Sequence, residues 1–87
     1  MADHVTVLFF AALREQVGLD SLSVAIPPHG LSVTALRHQI EGETPSIAAA
    51  FAEQPRLRVA INKTLGTFEQ VVHPGDEVAF FPPMTGG

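Results

Sequence analysis

The apolar residues of this chain change period along its length, and that change limits the folds open to it. Towards both ends they alternate with polar residues, and in the middle they recur at helical spacing. In His4-Val5-Thr6-Val7-Leu8-Phe9-Phe10, a β-branched and aromatic run, Val5, Val7 and Phe9 fall on one side of a strand. Ser21 to Ile26 alternates cleanly and turns Leu22, Val24 and Ile26 inward, before Pro27-Pro28-His29-Gly30 breaks it. Leu57 to Asn62 repeats the pattern with Leu57, Val59 and Ile61 inward. Glu77 to Phe81 sets Val78 and Phe80 on one face, Ala79 and Phe81 on the other.

Helical spacing fills the gaps. Ala11 to Val17 reads as a short helix, with Leu13 and Val17 one turn apart and Gly18 as its stop. Ser32 is a good N-cap for a helix to about Glu41, with Val33, Leu36 and Ile40 as its apolar stripe. Gly42 is expected to end it. Thr44 caps a second start, with Pro45 at the first helical position, and Pro55 follows its end near Glu53. Asn62-Lys63 reads as a turn into a short return around Thr64 and Leu65. His73-Pro74-Gly75-Asp76 reads as the turn before the last strand.

Strands at both ends with helices between them predict an α+β layer, a mixed β-sheet with helices packed on one face. A β-grasp arrangement fits: an N-terminal hairpin, a crossing helix, and the last strand returning beside the first. Residues 1–81 form this one domain, and 82–87 form an extended tail.

The side chains offer little chemistry of their own. There is no cysteine, hence no disulfide, thiolate nucleophile or zinc-thiolate site. His4, His29, His38 and His73 are scattered without metal-ligand spacing, so no metal site is expected. Glu41 and Glu43 flank Gly42 and read as a solvated turn; Asp76 and Glu77 read as turn and edge residues. The net charge of -4 disfavours nucleic acid as a partner. Arg56 and Arg58 are the one close basic pair and share a face if they lie on a strand; a solvated edge accounts for them. No apolar run approaches the roughly 18 residues of a membrane helix. The start, Met-Ala-Asp-His, lacks a secretory pattern, so Asn62-Lys63-Thr64 is discounted as a glycosylation sequon and a cytoplasmic location is expected.

That leaves Pro82-Pro83-Met84-Thr85-Gly86-Gly87. Proline fixes φ near -65° and biases the preceding residue to extended backbone, so the segment leaves the last strand as a stiff spacer. Six residues reach at most about 20 Å. Gly86 and Gly87 lack side chains, so they can thread a narrow channel and bring a carboxyl close to another protein's backbone. A terminal carboxylate, with a pKa near 3.5, resists nucleophilic attack until a leaving group is attached, most simply from ATP. A sulfur donor can then convert the acyl group to a thiocarboxylate, with the sulfur carried on Gly87 and not on a side chain. A frayed terminus is the plain alternative.

At this point the residues carry a likeness. Val7-Leu8-Phe9-Phe10-Ala11 with Leu13-Arg14-Glu15, then Asn62-Lys63-Thr64-Leu65, then Gly75-Asp76-Glu77-Val78-Ala79-Phe80-Phe81-Pro82-Pro83 and Thr85-Gly86-Gly87, resemble the small, sulfur-carrying subunits of molybdopterin synthase. The likeness spans essentially the whole chain. Met84 departs from it, since the family more often has a branched aliphatic there. The resemblance implies a ubiquitin-like β-grasp. It implies adenylation of Gly87 by an ATP-dependent activating enzyme, then conversion to a thiocarboxylate by a sulfur donor protein. It further implies insertion of the tail into a large catalytic subunit, within a two-plus-two heterotetramer. There the sulfur passes to a pyranopterin precursor of the molybdenum cofactor. The chain would thus be no enzyme alone, would hold no cofactor stably, and would leave catalysis to its partner. A ubiquitin-like protein modifier, a carrier for another pathway such as thiazole synthesis, and a plain interaction module remain as alternatives.

Phe10, Leu65 and Phe81 fall outside the alternation that builds the core. They are expected to form a partner-binding patch, with Arg14 as a polar rim contact and Pro82, Pro83, Met84 and Thr85 seated in the partner. The other arrangement buries Phe10 and Phe81 under a loop.

Overall fold

A computed structural model describes residues 3–83 of the chain. The elements, in order, are β1 (His4–Phe9), α1 (Ala11–Val17), β2 (Ser21–Ala25), β3 (Leu31–Ser32), α2 (Val33–Glu43), α3 (Pro45–Ala52), β4 (Arg58–Ile61), β5 (Thr64–Leu65), β6 (Val71–Val72) and β7 (Glu77–Phe81). Five strands form one sheet in the order β2-β1-β7-β4-β5, and β3 pairs with β6 in a small second sheet. β1 and β7 run parallel at the centre, and every other pairing is antiparallel. A hairpin, helices crossing one face, and the last strand returning beside the first make up the expected β-grasp.

Alternation decides which face is covered. Val5, Val7 and Phe9 of β1, Val59 of β4 and Val78 and Phe80 of β7 all point to the helix side and are buried. Leu13 and Val17 of α1, Val33, Leu36 and Ile40 of α2, and Ile47, Ala50 and Phe51 of α3 meet them in one core. Each fully buried Leu, Ile or Phe contributes about 1.5–3 kcal/mol. Phe51 is the centre of an aromatic group, its ring 6.3 Å from Phe9 and 5.1 Å from Phe80. Arg37 lies over both Phe51 and Phe68, at 5.3 and 5.7 Å from their centroids, and its Nε donates to Glu41 at 3.1 Å.

Two helix ends differ in how they are made. At the start of α2, Ser32 Oγ accepts from the Ala35 N–H at 3.1 Å, as the N-cap reading requires. The Val33 and Thr34 N–H groups donate to the Gln70 and Phe68 carbonyls, at 2.9 and 3.0 Å. These donors are thereby spent on the chain itself, and the helix start is no anion cradle. At its other end α2 runs through Gly42 to Glu43, contrary to expectation. A glycine costs a helix about 1 kcal/mol relative to alanine but does not break it. The break falls at Thr44, which precedes Pro45 and is extended at φ -133°, ψ 103°. Thr44 caps α3 through its backbone, its carbonyl accepting from the Ile47 N–H at 3.0 Å, and not through its side chain.

The β4–β5 connection is the expected two-residue turn. Asn62 and Lys63 both have positive φ, 50° and 70°, as a type I′ hairpin requires. Asn62 also ties this turn to the start of β7. Its Nδ2 donates to Asp76 Oδ1 at 3.0 Å, and its Oδ1 accepts from the Glu77 N–H at 2.9 Å. Asp76 Oδ2 accepts from the His73 N–H at 2.8 Å. The His73 amide first, and the Asn62 amide second, hold the Asp76 carboxyl below its ordinary pKa. Asp76 is therefore a turn residue as expected, but Glu77 is the first residue of β7, a central strand, and is neither in the turn nor on an edge.

Candidate functional site

The same alternation that covers one sheet face leaves the other without helices. Registered partners in neighbouring strands point to the same face, so the pairings give this open face row by row. One row reads Ser21, Leu8, Ala79, Ala60, Leu65 across all five strands. The next row, further along β7, places Phe81 opposite Arg58. Phe10 follows Phe9, which is level with Phe80, so it stands beside Phe81 one step past the end of the β1–β7 register. In the opposite direction, Ser23, Thr6 and Glu77 form a polar row. The open face is thus polar where β7 begins and apolar where it ends.

Phe10 and Leu65 are 46% and 56% exposed, at two sides of the apolar half, and Phe81 between them is half-buried. Ala79 is buried although it belongs to this face and not to the core: its one methyl lies between Leu8 and Ala60 in register. The patch therefore has a low alanine floor with larger side chains around it. Phe10, Leu65 and Phe81 share this open face, Phe10 and Leu65 three strands apart with Phe81 between them, and the loop-covered arrangement does not hold for Phe10. Leu8, Ala60 and Ala79 complete the patch. Their signal was apolar residues at outward positions of otherwise alternating strands.

Arg14 is exposed on α1, on the helix side of the sheet, with its Nε 3.7 Å from the Asp20 carboxylate. It is one helical turn from Phe10 and can reach only the border of the patch. Ala11, just after Phe10, has φ 55°, an unusual value for alanine that turns the chain sharply from β1 into α1 and leaves Phe10 at the corner.

Pro82 and Pro83 continue from Phe81, half-buried and without regular structure. Lacking an N–H, Pro82 cannot extend the ladder, so the sheet ends at Phe81. Met84, Thr85, Gly86 and Gly87 lie outside the described residues. A shallow depression lined by Asn62, Lys63, Gly75 and Glu77 lies at the other end of β7, where the hydrogen bonds of Asn62 occupy its polar groups. Among the described residues no group of His, Asp and Glu is placed to hold a metal, and no helix is long and apolar enough to cross a membrane.

Known proteins resemble this chain both in sequence and in fold. The sequence matches the ThiS family over residues 7–87. It is 45% identical over 83 residues to the molybdopterin synthase sulfur carrier subunit of Escherichia coli, covering 95% of this chain and 99% of that protein. The protein of the same name from Haemophilus influenzae is 41% identical over 83 residues, with 95% and 99% covered. Among solved structures, SAMP1 from Haloferax volcanii matches with a TM-score of 0.79 at 22% identity, over 97% of this chain and 99% of that one. At that identity the likeness speaks for the ubiquitin-like β-grasp fold alone. With a match that runs from β1 through the Gly-Gly tail, the chain belongs to the ThiS family.

Proposed function

We propose that this protein is the sulfur carrier subunit of a molybdopterin synthase and acts in molybdenum cofactor biosynthesis. It is a subunit of an enzyme and no catalyst by itself. The observation that carries this reading is the place on the sheet from which the tail departs. Pro82 leaves the sheet at the apolar end of the open face, so a partner docked on Leu8, Leu65, Phe10 and Phe81 receives the residues that follow. Nearly full-length identity to carrier subunits supports the same reading.

Gly87 supplies the carboxyl. An activating enzyme joins it to the α-phosphate of ATP and releases pyrophosphate. Sulfide-level sulfur supplied by a donor protein then attacks the acyl carbon, displaces AMP and leaves a thiocarboxylate. In the large subunit the thiocarboxylate sulfur bonds to a carbon of the pyranopterin precursor in place of an oxygen leaving group, and water hydrolyses the thioester so formed, which returns Gly87 to a carboxylate. Gly86 and Gly87 pass through the partner's channel because they have no side chains, while Met84 and Thr85 are held in the groove that leads to it. The carrier needs no stably bound cofactor, since ATP is consumed on the activating enzyme. One carrier at each active site of a two-plus-two heterotetramer is the expected assembly.

Intact-mass spectrometry of the protein from its native host tests this reading. Exchange of one oxygen for sulfur on Gly87 supports it. A ladder of lysine conjugates on other proteins identifies a modifier instead, and an unmodified terminus after incubation with the activating enzyme, ATP and sulfur donor refutes it. Adding one residue after Gly87 should abolish sulfur transfer with an unchanged thermal melt.

A further inference from the structure

The apolar half of the open face carries one cation. Arg58 stands opposite Phe81, in the row nearest the tail, and is exposed. Its place is rigid: β4 is paired with β7 on one side, and the Gly66 N–H donates to the Val59 carbonyl at 2.9 Å on the other. The two ion pairs among the described residues use Arg14 with Asp20 and Arg37 with Glu41, so Arg58 has no carboxylate partner there. Neither cation–aromatic contact involves it; both belong to Arg37. Among the described residues this guanidinium is unpaired, in a chain of net charge -4 and beside the root of the tail.

An unpaired arginine on the border of an apolar docking face leaves five N–H donors facing the partner. When the partner covers Phe81, water is excluded next to the guanidinium, and a cation left without an acceptor would oppose binding. A carboxylate at that point removes the cost and fixes the angle at which the sheet face, and hence the tail, is presented. We propose that Arg58 is a specificity contact of the docking face, paired with an Asp or Glu side chain of the synthase large subunit. This rests on the reading that the open face docks that subunit. The solvated-edge interpretation of Arg56 and Arg58 thereby separates: Arg56 lies in the turn before β4, and only Arg58 is in register with the patch.

The test measures affinity for the large subunit by calorimetry at low and high salt. Arg58→Glu should weaken binding at least tenfold and Arg58→Ala less, both with unchanged thermal melts, and Arg58→Lys should fall between Ala and wild type. The salt dependence of the wild-type affinity should shrink in Arg58→Ala, and Arg56→Glu should act weakly. Changing the partnering acidic residue of the large subunit to Lys should restore the affinity of Arg58→Glu. If Arg58→Glu binds like wild type while Leu65→Ala binds weakly, the contact is wrong and the docking face stands. If neither variant changes affinity, the docking reading itself fails. Slower adenylation in Arg58→Glu with unaltered synthase affinity would overturn the assignment to the large subunit.

Discussion

Truncating Leu65 separates docking from folding more cleanly than any other single change. Leu65 is 56% exposed and lies in the two-residue strand β5, outside the core cluster. Burying a whole leucine contributes about 1.5–3 kcal/mol, and about half of this one remains to be buried by a partner. Leu65→Ala should therefore lose about 0.8–1.7 kcal/mol of binding, a Kd roughly 4- to 18-fold higher. Folding stability should fall by no more than about 0.7–1.3 kcal/mol, the share of the leucine that the free chain already covers, so the domain stays folded. Calorimetric titration against the large subunit, with a thermal melt of each variant, reads both quantities. Phe10→Ala provides the second leg. Phe10 follows β1, three strand spacings or about 14 Å from β5, far enough for the two losses to add. The double variant should then show the product of the two fold-changes. A Kd equal to wild type in Leu65→Ala, with the variant still folded, would show that the partner does not cover this face.

Three further variants probe the frame that presents the site. Lys63→Gly should raise stability by about 0.5–1 kcal/mol, because Lys63 holds φ 70° in the hairpin turn; a lower melting temperature would contradict the turn assignment. Asp76→Ala should cost about 0.5–1 kcal/mol at pH 7 in urea unfolding, from two lost acceptor positions on a largely solvated carboxylate. The folded pKa of Asp76 is lowered, so its contribution is full above the unfolded value of 3.8 and fades as pH falls through the folded value. The deficit of Asp76→Ala should accordingly shrink in acid, and a deficit independent of pH would refute the assignment. Phe51→Ala should cost about 3–5 kcal/mol, a large share of the roughly 4–13 kcal/mol expected for a domain of this length, and leave the purified protein largely unfolded on mild warming.

Alternation is legible without a structure, and neighbours are not. The four longer strands stood out because each repeats its apolar residue often enough to show a period. β3 and β6 have two residues each and show none; they pair only because the chain places Leu31 beside Val72. Gly42 read as a stop because glycine often follows a helix, yet the φ and ψ limits before Pro45 outweighed its modest helix penalty. For the site, parity sufficed to set Phe10, Leu65 and Phe81 outside the core. It could not show that Leu8, Ala79, Ala60 and Leu65 form one row, because that depends on the order β1-β7-β4-β5. Arg58 had no reason to be linked with the tail until the β4–β7 register set it against Phe81.

The placement of the tail on β7 follows from what a carrier has to do. β7 is the middle strand of the sheet, paired with β1 as far as Phe80 and with β4 as far as Phe81, so the tail starts from paired backbone next to the core. Phe80, on the covered side, is fully buried against Phe51, and Phe81, on the other side, belongs to the open face proposed to dock. In the proposed docking, one dipeptide fastens the strand to the fold and to the partner. Pro82 then ends the ladder, and from there to Gly87 the chain can span at most about 20 Å. A reactive carboxyl on so short a spacer reaches only what the docked face puts within range. Selectivity can therefore reside in the sheet face while the last two residues stay as bare as glycine allows.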